Sequence, residues 1–196
     1  MRIKREEGRI LHDQTVYLEK VLQYFELTNM KATATPLPEG YQPLPNTAPI
    51  NPAIRSKYQQ VIGSLLYIML GTHSNIAYAV VKLLQFAANP SEDHLNRALY
   101  ICHYLLRTPS YALVFDGKSN GGFVAYADSD WASNPDDWRS TTGYMVKLAN
   151  GVFSWNSRAQ KTVALSPTEA EYMLLSDTSR QLVLIHSQFE ECMHDV

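Results

Sequence analysis

The sequence predicts an α+β fold, and three observations predict it. The middle third carries apolar residues at helical spacing, and the last third switches to short runs rich in β-branched and aromatic residues. A capping signal at Ser166 then opens one further helix. With 196 residues, 45% apolar and 18% charged, the chain has the balance of a folded protein and the length for one ordinary domain, or for a small domain with an N-terminal extension.

Taken in order, two strand-like pieces flank Glu7-Gly8 and read as a hairpin. Gln14 to Phe25 places Val16, Leu18, Val21, Leu22 and Phe25 at helical spacing and stops before the polar Thr28-Asn29 pair. From Thr33 to Pro52 six prolines each remove a backbone donor and favour extended conformation, so this stretch reads as a linker. Helices are expected over Ile54 to Leu70, Ser74 to Ala88 and Ser91 to Leu106, with Asn89-Pro90 and Thr108-Pro109 as breaks. Ser91, followed by Glu92, Asp93 and His94, suits an N-cap with acidic first-turn residues. The faces Ile62, Leu65, Leu66, Ile68, Met69 and Ala79, Val80, Leu83, Leu84 read as core.

Strands are expected at Leu113 to Phe115, Gly122 to Ala127, Thr142 to Leu148 and Gly151 to Asn156, the last three forming one antiparallel sheet. Lys118-Ser119-Asn120-Gly121 and Asn150-Gly151 are the turn formers between them, and Asn150-Gly151 is the strongest hairpin signal in the chain. Ser166-Pro167-Thr168-Glu169 then supplies Ser at N-cap, Pro at the first helical position and Glu at N3.

Composition narrows the function classes. A net charge of -2 and a pI near 6.3 deny the protein a broad basic field, so any contact with nucleic acid must be local. Cys102 and Cys192 lack metal-ligand spacing and read as free thiols of a reducing compartment. The charged N-terminus and the lack of an apolar run near ~20 residues point to a soluble protein of the cytoplasm or nucleus, with no membrane span.

Two acids stand out by position. Asp128 ends an apolar strand in VAYADSDWAS, and Glu171 lies one turn inside the last helix in SPTEAEYMLL. If that helix packs across the sheet, the two can converge, which is how a two-metal site is assembled from separated sequence. Glu171 shares a face with Leu174, Leu175 and Thr178, while Glu169 is spent on capping, so Glu171 is the better inward carboxylate. The bland alternative makes Asp128, Asp130, Asp136 and Asp137 solvated turn and loop acids, and the pattern alone leaves both open. His73, His94, His103, His186 and His194 share no ligand spacing. Trp131, Trp155 and Tyr144 suit the core of a small sheet better than a base-stacking platform.

The string YADSDWASNPDDWRSTTGYMVKLANGVFSWNSRAQKTVALSPTEAEYMLLS closely resembles the RNase H domain of copia-type retrotransposons. D-x-D-W-A, R-S-T-x-G-Y, S-W-x-S-x-x-Q and S-x-T-E-A-E-Y blocks follow in the family's order. Upstream, YLEKVLQYFELTNMKATATPLP and QQVIGSLLYIMLGTHSNIAYAV resemble the end of the same family's reverse transcriptase and its connection to RNase H. The resemblance implies four parts: 1–32 as the end of reverse transcriptase, 33–53 as the Pro-rich linker, 54–110 as a helical thumb or connection region, and 111–196 as a truncated RNase H-like domain with a mixed sheet and a packed helix.

Carried over residue by residue, Asp128 matches the first metal-binding aspartate and Glu171 the helix glutamate, for Mg²⁺ or Mn²⁺ and an RNA-DNA hybrid. Arg139, Arg158, Gln160 and Lys161 match positions that contact the hybrid's phosphates. The family's third aspartate sits in a D-N-type block on a later strand, and a further acidic or histidine ligand lies later still. Neither block is present, and Asp195 has no strand before it to aim it. The expectation is therefore an incomplete RNase H domain, inactive or weak alone, whose uncovered sheet edge favours self-association, or else a non-catalytic binding module. Further departures are His73-Ser74-Asn75, Trp138 where a basic residue is common, and Leu174 where a small residue is usual, which would overpack the helix at a cost of about 1–3 kcal/mol.

Overall fold

The computed structural model describes residues 1–118, 122–134 and 137–194. They fall into two compact units, Met1–Val114 and Phe115–Val196, and the fold is α+β as expected. The linker and both segments flanking it belong to the first unit.

In the first unit, β1 (Arg2–Glu6) and β2 (Arg9–Asp13) form the expected hairpin. Glu7 and Gly8 take positive φ of 50° and 76°, the left-handed pair that a two-residue hairpin turn requires. β3 (Ala112–Phe115) joins β2, so this strand extends the N-terminal sheet rather than the later one. α1 (Thr15–Tyr24) buries Leu18, Val21 and Leu22. α2 (Pro52–Gly71) starts where Pro52 pre-sets the first turn and the Asn51 side chain accepts from the amides of Ala53 and Ile54.

A 3-10 turn, Ser74–Ile76, leads into α3 (Ala77–Leu84), which is four residues shorter at its C-terminus than the expected helix. α4 (Glu92–Leu105) opens on a capping box: Ser91 Oγ accepts from the His94 amide, and His94 Nδ1 accepts from the Ser91 amide. Tyr58, Ile62, Leu65 and Ile68 of α2, Val80 and Leu83 of α3, and Ala98, Ile101 and Leu105 of α4 make the core. Of the faces read as core, Leu66 is half-buried and Leu84 exposed.

The Pro-rich stretch has no regular secondary structure, yet it is bound along its length to α4 and the turn before it. The Thr33 amide donates to the His103 carbonyl, and the Tyr41 hydroxyl donates to Asp93 at 2.7 Å. The Asn46 side-chain amide donates to Asn89 Oδ1, and the Asn89 side-chain amide donates to the Asn46 and Ala48 carbonyls. Proline removes donors and so denies the segment a ladder, leaving side chains to tie it down. It is a strap.

The second unit is one antiparallel sheet, β4 (Val124–Asp130), β5 (Thr141–Leu148) and β6 (Gly151–Ala159), followed by α5 (Pro167–His194). The mixed sheet implied by the resemblance is antiparallel throughout among the described residues. Leu148 pairs with Gly151, so the two turn residues are Ala149 and Asn150, both at positive φ, and Gly151 is the first residue of β6. The turn expected at 118–121 lies mostly outside the described residues. Helix α5 begins as read: the Glu169 amide donates to Ser166 Oγ, and the Glu169 carboxylate accepts from the Leu165 amide.

Ser129, Thr142 and Arg158 form one cross-strand row, and Asp128, Gly143 and Ser157 form the next, on the opposite face. Helix α5 covers the Ser129 face, where Thr142 and Val146 are buried against a stripe of Ala170, Leu174, Thr178 and Ile185. Among the described residues no helix is long and apolar enough to cross a membrane.

Candidate functional site

β4 extends two residues beyond Asp128, so this aspartate sits within the strand rather than at its end. Its row places it on the sheet face away from α5 with Val124, Tyr126 and Asp130, and all four are exposed. Glu171 is also exposed, which corrects the inward assignment. The buried stripe passes through Ala170, and Glu171 is turned about 100° from it, at the border of the covered face. Leu174 and Thr178 are buried as expected of that face, whereas Leu175 is exposed. The elements carrying the two acids pack on one another, but Asp128 belongs to the sheet face that α5 does not cover.

Among the described residues no three of His, Cys, Asp and Glu group as ligands for a metal. Asp136 and Asp195 lie outside the described residues.

The four residues matched to phosphate contact divide. Arg158 reaches across the covered face and pairs with Asp177 of α5, which also approaches Arg180 at 3.7 Å. Gln160 is buried: its side-chain amide donates to the Ala170 carbonyl at 2.9 Å and its backbone amide to Ser140 at 2.8 Å. These two hold the helix to the sheet. Arg139 sits on the surface, paired with Asp137 at 3.3 Å, and Lys161 is exposed. Asp177 was not singled out from the sequence, although its place three residues after the buried Leu174 was a legible signal that it borders the covered face.

Trp131 is half-exposed rather than core, and its indole N–H donates to the Ala164 carbonyl at 3.0 Å, tying the end of β4 to the approach of α5. Tyr144 and Trp155 are partly buried. The free-thiol reading agrees with the structure: Cys102 is buried in α4, where desolvation pushes its thiol up to about 12, and Cys192 is exposed. Burial lowers the imidazoles of His73, His94 and His103, opposed at His94 by the charge of Asp93.

The retrovirus-related Pol polyprotein from transposon TNT 1-94 of Nicotiana tabacum is 33% identical over 198 residues, which is 97% of this chain and 15% of that protein. The retrovirus-related Pol polyprotein from transposon RE1 of Arabidopsis thaliana is 39% identical over 69% of this chain and 9% of its own length. The secreted RxLR effector protein 161 of Plasmopara viticola is 40% identical over 64% of this chain and 89% of its own length. No protein-family model matches the chain, and no solved structure matches it. Measured against the two polyproteins, the chain spans a small part of a much longer protein. The chain belongs to the copia-type retrotransposon Pol polyproteins, as a fragment of one.

Proposed function

We propose that residues 111–196 are the opening portion of an RNase H-type nuclease, whose parent reaction is metal-dependent hydrolysis of RNA paired with DNA. The reading rests on one juxtaposition: β4 with Asp128 and α5 with Glu171 pack together, in the order of four sequence blocks that resemble that domain. Mg²⁺ demands near-octahedral oxygen coordination, and two exposed carboxylates on different elements hold it weakly. Further donors from elsewhere in a polyprotein would complete the site and activate a water for attack at phosphorus. Asp128 and Glu171 are the metal carboxylates of this proposal. Arg139 and Lys161 remain candidates for phosphate contact on the surface, and Arg158 and Gln160 position the helix.

Incubation with an RNA-DNA hybrid and Mg²⁺ or Mn²⁺ tests this. The chain alone should cleave no faster than its Asp128→Asn variant, whereas a longer polyprotein segment should cleave and lose that activity in Asp128→Asn and in Glu171→Gln. Robust cleavage by the chain alone, abolished by Asp128→Asn, overturns the incomplete-site reading. Cleavage by the longer segment that survives both substitutions overturns the site itself.

A second reading is a non-catalytic module that binds nucleic acid or protein. It draws on the open sheet face, where Val124 and Tyr126 are exposed in rows with Lys147 and with Met145 and Trp155. Hybrid binding without cleavage that Tyr126→Ala weakens would favour this module.

A further inference from the structure

His94 is an unusual choice for the third helical position of a capping box, where Glu or Gln ordinarily serves. Its ring does three things at once. Nδ1 accepts from the Ser91 amide at 3.0 Å, the ring stacks on Phe86 with centroids 4.2 Å apart, and it hydrogen-bonds the backbone of Leu44 in the strap. The residue is almost fully buried, and its strap partner Leu44 lies between two other anchored strap residues, Tyr41 held on Asp93 and Asn46 held on Asn89.

We propose that His94 is an acid-sensitive pin: protonation of its ring withdraws the acceptor from Ser91 and releases residues 41–48 of the strap from the N-terminus of α4. An imidazolium has two donors and no acceptor, so Nδ1–H would face the Ser91 N–H donor head on. The positive end of the helix dipole adds to the penalty, because a cation at the third helical position sits where anions are favoured. The bond to Leu44 favours the charged ring, but the two penalties outweigh it: the ring relieves them by leaving its pocket, and its hold on Leu44 goes with it.

The groups around the ring permit this. Asp93, the charged neighbour that favours protonation, is shared with the Tyr41 hydroxyl and with Arg97, whose guanidinium also lies over the Tyr41 ring at 4.9 Å. Glu92 on the same turn is exposed. From α2 comes Tyr58, with its ring 6.5 Å away and its hydroxyl donating to the Leu83 carbonyl, and from the turn after α3 comes the uncharged Phe86. Desolvation outweighs the pull of Asp93 and of the Leu44 backbone, so the folded protein holds the ring neutral near neutral pH.

The test is an NMR titration of the whole chain from about pH 8 to about pH 5, across the range where histidine changes charge. It follows the His94 ring, the amides of Leu44 to Ala48 and the side-chain amides of Asn46 and Asn89. The strap resonances should lose their native shifts with the midpoint of the His94 ring while α2 resonances keep theirs. In His94→Gln, whose side chain restores an ordinary capping box without titrating, the strap should hold to the acid limit. Strap resonances that stay put while His94 titrates overturn the proposal, as does release in His94→Gln at the same pH. If His94→Gln does not fold, the wild-type comparison decides: a strap midpoint that matches the His73 or His103 ring instead of His94 also overturns it.

Discussion

Gly71, the last residue of α2, has no room for a side chain because the Gln14 amide fills the space in front of its Cα. Gln14 cannot step aside cheaply. It is 1% exposed, donates to the Tyr67 carbonyl at 3.1 Å and accepts from the Thr72 hydroxyl at 2.9 Å, which in turn contacts His73 Nδ1. One polar side chain thus ties the start of α1 to the end of α2.

Gly71→Ala should therefore destabilise the chain by about 1–3 kcal/mol, the cost of overpacking a filled site. Thermal melts of Gly71→Ala, Gln14→Ala and the double variant give the check. The double variant should lose less than the sum of the two single losses, since removing the Gln14 amide makes room for the new methyl. Strict additivity would mean that the two residues do not meet in solution.

Leu174 is 1% exposed at the centre of the stripe by which α5 covers the sheet. Leu174→Ala should cost about 2–4 kcal/mol through lost burial and the cavity left behind. The resemblance suggested instead that a leucine here overpacks the helix. A gain in the urea midpoint of Leu174→Ala would support overpacking, and a loss would show that the sheet has accommodated the larger side chain.

Acidification should weaken the first unit. His73, His94 and His103 have folded-state values depressed by burial below the ordinary 6.5. Between the depressed value and about 6.5 the unfolded chain binds more protons than the folded one, so stability is complete above that pH and falls as pH drops through the window. Urea unfolding at stepped pH from about 7.5 to about 5.5 should show a declining midpoint. A flat or rising midpoint would show that these rings are not held neutral.

In the second unit β4 has a neighbour on one side only among the described residues, and apolar side chains at Val124, Tyr126, Leu175 and Val183 are exposed. Unpaired backbone beside exposed apolar surface is a template for association. The chain should self-associate at tens of micromolar by light scattering, and Tyr126→Lys should reduce that. A clean monomer with a cooperative melt would count against the open sheet edge as a sticking surface.

Most elements could be read from local signals alone, since each such signal acts within a few residues. The Glu7-Gly8 turn, the helical spacing of Leu18, Val21 and Leu22, and the Ser91 and Ser166 caps all specify their elements from within. The order of the acidic blocks likewise placed Asp128 on a strand and Glu171 on a helix. Tertiary structure decided what depends on partners distant in sequence. Proline content predicts an extended strap but says nothing of Asn89 or Asp93, some 40 to 50 residues on, that bind it down. Spacing likewise put Glu171 on a face with Leu174, but only the register of Ser129, Thr142 and Arg158 shows which side of the sheet the helix covers, and hence that Asp128 lies on the other. A strand's alternation defines two faces, and which of them is buried is settled only when another element arrives to cover it.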